Sequence, residues 1–98
     1  MEIKSKFKLG EKVYQIKRDF KRSEPYITFL GEVDEITLTR EGNKCKVADI
    51  YEMKEAFYWE HEILNKEEAI LLLTDARLAY IQELKDEIEK VEGELNHD

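Results

Sequence analysis

Apolar and polar positions alternate along the first two thirds of the chain and then change to a helical period. Gly10, in Leu9-Gly10-Glu11, marks a turn. Lys12 to Lys17 then alternates as a strand, with Tyr14 and Ile16 on one face and Gln15 and Lys17 on the other. Asp19 to Pro25 is polar, ends in the only proline and reads as a loop. Tyr26 to Arg40 is long and β-branched. In it Ile27, Phe29 and Val33 share one parity, whereas Ile36 and Leu38 have the other. A strand that changes parity turns its buried set to solvent, so a bulge or bend is expected between Gly31 and Glu35. Glu41-Gly42-Asn43 closes a hairpin, and Cys45 and Val47 share a face of the return strand. Phe57, Trp59, His61 and Ile63 alternate with Tyr58, Glu60 and Glu62 as a last strand. Glu52 to Glu55 reads as a short loop or as the start of a helix running through Trp59.

From Asn65 onward the pattern is helical. Asn65 is an N-cap with Glu68 three residues on, the spacing of a capping box. Lys66 to Leu95 contains no proline and only one glycine, Gly93. A helix of that length runs about 45 Å, longer than a barrel of about 60 residues is wide. Ala69, Ile70, Leu73, Ala76, Arg77 and Tyr80 form a broad stripe expected to pack on the sheet. Beyond it Ile81, Leu84, Ile88, Val91 and Leu95 follow the 3, 4, 3, 4 spacing of a coiled-coil seam.

The expected fold is therefore α+β. Residues 1–64 form a small, strongly bent antiparallel sheet or an SH3-like barrel. Residues 65–98 form one long C-terminal helix that packs on this body and extends past it as a short coiled-coil seam. A chain of 98 residues is expected to make one domain.

Charge divides the chain. Residues 1–22 carry eight basic and three acidic side chains, whereas the remainder carries eight basic and twenty acidic ones. Such a field steers partners or drives self-association; alternatively, the basic end neutralises the acidic helix within one molecule. With Ile81 at a and Leu84 at d, Lys85 and Glu92 take e positions and Glu87 and Glu94 take g positions. Parallel pairing sets Glu87 against Glu92, and an antiparallel pairing that sets Glu87 against Glu94 also brings acid to acid. The seam needs a cover from the same molecule, a second copy or another protein, because five apolar side chains do not stay wet without cost.

Signals for chemistry are sparse. Ser5 and Ser23 lie outside any nucleophile elbow, and no phosphate-binding glycine loop occurs. Cys45, the only cysteine, sits mid-strand as a small apolar residue and excludes an internal disulfide. Glu60, His61 and Glu62 alternate faces and do not share a metal. No cofactor, metal site or catalytic group is expected, and the chain is read as a non-enzyme. The longest apolar run, Ala69 to Leu73, is far short of a membrane span, and no signal peptide is recognised, so a cytoplasmic location is expected. Lys4, Lys6, Lys8, Lys12, Lys17 and Arg18 offer an alternative role in nucleic-acid contact, against which the overall acidity counts. Phe57-Tyr58-Trp59, with Tyr14, Tyr26 and Tyr51, reads as core packing or as a stacking platform. If any are exposed, Tyr58 and Tyr51 are the candidates rather than Phe57 and Trp59.

Three segments carry a resemblance: Phe7 to Tyr14 (FKLGEKVY), Gly31 to Ile36 (GEVDEI) and Leu64 to Ala69 (LNKEEA). Over residues 7–69 the chain resembles a loose group of small SH3-like-barrel proteins of phages and mobile elements in Gram-positive bacteria. The resemblance implies no catalytic residues. It implies a protein that binds and blocks a host or defence protein, as inhibitors of CRISPR nucleases do.

Overall fold

In the computed structural model, which describes residues 5–20 and 23–96, four strands form an antiparallel meander. They are β1 (Lys12–Lys17), β2 (Tyr26–Thr39), β3 (Gly42–Asp49) and β4 (Lys54–Trp59), in that order across the sheet. A short 3-10 turn, Glu60–Glu62, leads to α1 (Lys66–Leu95). Of the two forms expected for the body, the bent open sheet is the one that forms. The barrel does not close, because the chain after the 3-10 turn meets the free edge of β1 at a single residue. There Tyr14 and Leu64 exchange two backbone hydrogen bonds of 2.8 Å. The last strand correspondingly stops at Trp59 rather than running to Ile63. It begins at Lys54, so neither a helix nor a loop reaching Glu55 occupies that stretch.

Two bulges shape β2. Between Val33 and Glu35 the register with β3 slips by one residue, the shift that the parity change required. It lets Val33 and Ile36 both face the core. A second slip, at Leu30, was not legible in the alternation: Val13 pairs with Gly31, but Tyr14 pairs with Phe29. Ile27 and Phe29 therefore lie across the sheet from Val33 rather than beside it. The buried residue of β1 is Val13, and Tyr14 and Ile16 are only partly covered.

The core is small. Phe7, Val13, Val33, Cys45, Val47 and Ile63 are buried together, with Leu30, Ile36 and Tyr58 packed against them. Here the aromatic expectation is reversed. Cys45 and Val47 point inward, and β4 pairs Tyr58 with Cys45 and Phe57 with Lys46. Cross-strand partners share a face. Tyr58 thus reaches the core, while Phe57 is 61% exposed and Trp59 lies on its side of the sheet, both rings near the Lys44 ammonium at 5.4 and 5.6 Å. Tyr51 is exposed as expected. Phe57→Glu is expected to change stability by less than about 0.5 kcal/mol. Tyr58→Glu places a charge against the core and is expected to cost about 3 kcal/mol or more. Urea unfolding of the two variants measures the difference.

The start of α1 is built as its sequence indicates. The Glu68 backbone N–H donates to Asn65 Oδ1 at 2.8 Å, and the Asn65 N–H donates to Glu68 Oε1 at 3.2 Å. Lys6 Nζ stands 2.7 Å from the other Glu68 oxygen. Burial raises the Glu68 pKa, but the Lys6 ammonium and the Asn65 N–H outweigh it and hold the carboxyl below its ordinary value. A depressed carboxylate contributes stability that is fully present above its unfolded pKa and is lost as pH falls through the folded one. Acidification from neutral pH through the ordinary Glu range is therefore expected to lower the melting temperature less in Glu68→Gln than in the parent chain. Asn65→Ala is expected to cost about 1 kcal/mol. Thermal scans at neutral and acid pH check both.

Candidate interaction surface

α1 docks by a narrower face than its sequence predicts. Ala69 and Leu73 are buried, and Ala76 and Tyr80 are partly covered. Ile70 and Arg77, expected in the docked stripe, are exposed. The helix lies mainly along β1, and its docking ends near Tyr80, whose ring has the Arg18 guanidinium 5.8 Å away. Arg77 Nε lies 3.4 Å from Glu24 at the same end of the body.

From Ile81 onward every described helical residue is exposed, and the second half of α1 projects as an arm. The molecule measures 70 × 31 × 21 Å, with a radius of gyration of 18.9 Å. A compact chain of this length has one of about 13 Å. The seam residues Ile81, Leu84, Ile88, Val91 and Leu95 are 39–74% exposed. Leu84, Ile88 and Val91 line a shallow apolar trough bordered by Glu87 and Glu92. Seam positions lie about 70° around the helix from the docked stripe, since each residue advances about 100°. They stay exposed because the described part of the sheet body ends near Tyr80, where Arg18 stands beside Leu84 and Glu87.

Four further apolar residues, Ile70, Leu71, Leu72 and Leu78, are exposed in the docked half of the helix. Ile70 was expected to pack on the sheet, and Leu71, Leu72 and Leu78 carried no expectation of a surface. An unbroken apolar run covers every side of a helix, and one sheet covers only one side. A second exposed apolar group, Ile50, Tyr51 and Met53, forms the tip of the β3–β4 hairpin, where Met53 adopts a φ of 55°.

The basic residues singled out for nucleic-acid contact are not gathered into one patch. Lys4 lies outside the described residues. Lys6 is paired with Glu68. Lys12 and Lys17 occupy opposite ends of β1, about 17 Å apart at strand rise, and Arg18 is over Tyr80. Lys8 is exposed in the turn before β1. Glu60 has a binding role within the fold: its carboxylate accepts from Ser5 Oγ, the Lys6 N–H and Asn43 Nδ2, tying the start of the chain to β3.

Chemical groups are few. Burial, and secondarily the Glu60 charge, pushes the Cys45 thiol pKa up, so its thiolate is scarce at neutral pH. Among the described residues no group of three or more His, Cys, Asp or Glu side chains is placed to hold a metal ion, and no helix is long and apolar enough to cross a membrane. Comparison with known proteins returned no matching family model, no similar curated protein and no similar solved structure, so the arm's geometry carries the functional argument.

Proposed function

We propose that this is a non-enzymatic protein-interaction protein, in which the bent sheet is a platform and the projecting half of α1 is the binding element. One observation carries it: the helix continues for about four turns past Tyr80, the last of its described residues to be partly covered, and keeps a coiled-coil seam exposed there, with Arg18 of the body beside it near Leu84 and Glu87. A solvated helix needs no such seam, and a stripe with polar residues between is what a helical partner requires. The acidic side chains beside it, Glu87 and Glu92, set the sign of charge that a partner meets. In the phage or mobile-element setting that the resemblance implies, the assembled protein acts by binding a host or defence protein.

Maleimide labelling of an Ile88→Cys chain, against an Asp86→Cys chain with the thiol on the opposite side of the helix, tests this. Cys45 is buried and leaves a low background. In cells expressing either variant, the thiol at position 88 is expected to be protected at least tenfold relative to that at position 86. Equal labelling of both, in cells and in concentrated solution, would remove the proposal.

A further inference from the structure

The arm complements itself in one register. Carrying the heptad back from Ile81 at a places Ile70 and Arg77 at d, Thr74 at a, and the exposed Leu71 and Leu78 at e. We infer that the arm's partner is the arm of a second copy, lying antiparallel along the whole of α1, in a two-fold dimer with a sheet body at each end. This inference rests on the reading of the arm as an interaction surface and names its occupant.

Antiparallel helices pair a positions with d positions, and here the two ends of the helix match through a common centre. Ile81 meets the partner's Leu84, Arg77 meets the partner's Ile88, Thr74 meets the partner's Val91, and Ile70 meets the partner's Leu95. The two-fold axis repeats each layer, so the interface closes on itself. All five seam residues are covered, and so is Ile70, which the body leaves half exposed.

The flanks favour this register over the others. Parallel pairing opposes Glu87 and Glu92. Sliding the antiparallel pair outward by one heptad sets Glu87 against its own copy and leaves Ile70 wet. In full overlap, Glu87 comes level with the partner's Tyr80, and Glu94 with the partner's Leu73. Lys85 and Glu92 come level with the partner's Leu78 and Leu71, and their aliphatic stems cover those exposed leucines. No two acids oppose each other across the seam.

The edges of the helix agree with the register. The g edge of the helix carries Leu73 and Tyr80, so it is the edge that runs beside the body. The acids of the partner's g edge, Glu87 and Glu94, therefore approach the body. Arg77 keeps its guanidinium at Glu24 while its stem lies over the partner's Ile88. The docked faces of the two bodies are held about 24 Å apart along the helical rod, which presents any sheet-borne binding face twice.

Disulfide trapping of purified full-length chains tests this. An Ile70→Cys chain mixed with a Leu95→Cys chain is expected to form the mixed disulfide on oxidation, because these positions share a layer. The Leu95→Cys chain alone is expected not to cross-link, because its two copies stand about 37 Å apart. A Leu95→Cys homodimer in high yield with little mixed product would overturn the antiparallel arrangement. A single-chain mass at millimolar concentration would overturn self-pairing altogether. In that case, protection of position 88 in cells would leave the interaction proposal standing with a different occupant, and its absence there would remove both.

Discussion

Replacing Leu84 and Ile88 together by Asp is expected to weaken association of the full chain at least 100-fold. At dilutions where parent and variant are both single chains, unfolding of the body should shift by less than about 0.5 kcal/mol. The asymmetry follows from where the two side chains lie. Both are on the projecting half of α1, beyond the last docked residue, so they make no contribution to the core. In an interface they are central, and each apolar side chain removed from water there is worth about 1.5–3 kcal/mol. Two aspartates on each arm forfeit several such terms and add buried charge, whereas a 100-fold loss needs only about 2.8 kcal/mol. Sedimentation equilibrium measures the association, and urea unfolding at low concentration measures the body. A variant that associates like its parent would show that the seam is not the contact.

Gly31→Ala is expected to be the most damaging small substitution in the body, costing about 3 kcal/mol or more. Gly31 has a φ of 141°, a conformation that residues with a side chain rarely adopt. It also pairs with Val13 beside the Leu30 bulge, where a Cβ would collide with the backbone carbonyl of Ala48. That neighbour is the β3 main chain, so relief requires the sheet to open. Gly42 supplies the control. Its φ is 136°, but an added Cβ there meets nothing within 4 Å. Gly42→Ala therefore carries the backbone cost alone, about 1–3 kcal/mol, and the difference between the two variants in denaturant unfolding isolates the clash at Gly31.

These two residues show how far the chain can be read without its fold. Every element whose signal is local was legible: the Gly10 and Gly42 turns, the Asn65–Glu68 cap and the bounds of α1. The bulge before Glu35 was legible as well, because it changes the phase of a long apolar alternation. The Leu30 bulge was not, because Ile27, Phe29 and Val33 keep one parity through it and nothing in their spacing records the slipped residue. The exchange of Phe57 and Tyr58 has the same origin. Either phase of Phe57-Tyr58-Trp59 puts aromatic rings inward, and pairing with β3, a non-local fact, decides between them. Barrel closure likewise turned on how many residues after the 3-10 turn could reach β1, and only Leu64 does so.

The arm divides differently between sequence and structure. Its seam was legible because heptad spacing is periodic over adjacent turns. That the described residues leave it exposed was not, since the docked face could have been any part of a broad stripe. The structure shows that Ala69, Leu73, Ala76 and Tyr80 define that face, leaving Ile70 and Arg77 in line with the seam. The extension of the seam back to Ile70 is what gives the helix matching halves.

The most direct test of the central claim is the solution mass of the full chain, measured by light scattering over a wide range of concentration. An arm that pairs with a second copy predicts a rise from the 11.7 kDa of one chain to twice that mass and no further, because a two-fold interface leaves no free seam. A mass fixed at 11.7 kDa throughout would contradict pairing between copies, and a mass that climbs without limit would contradict a closed two-fold one.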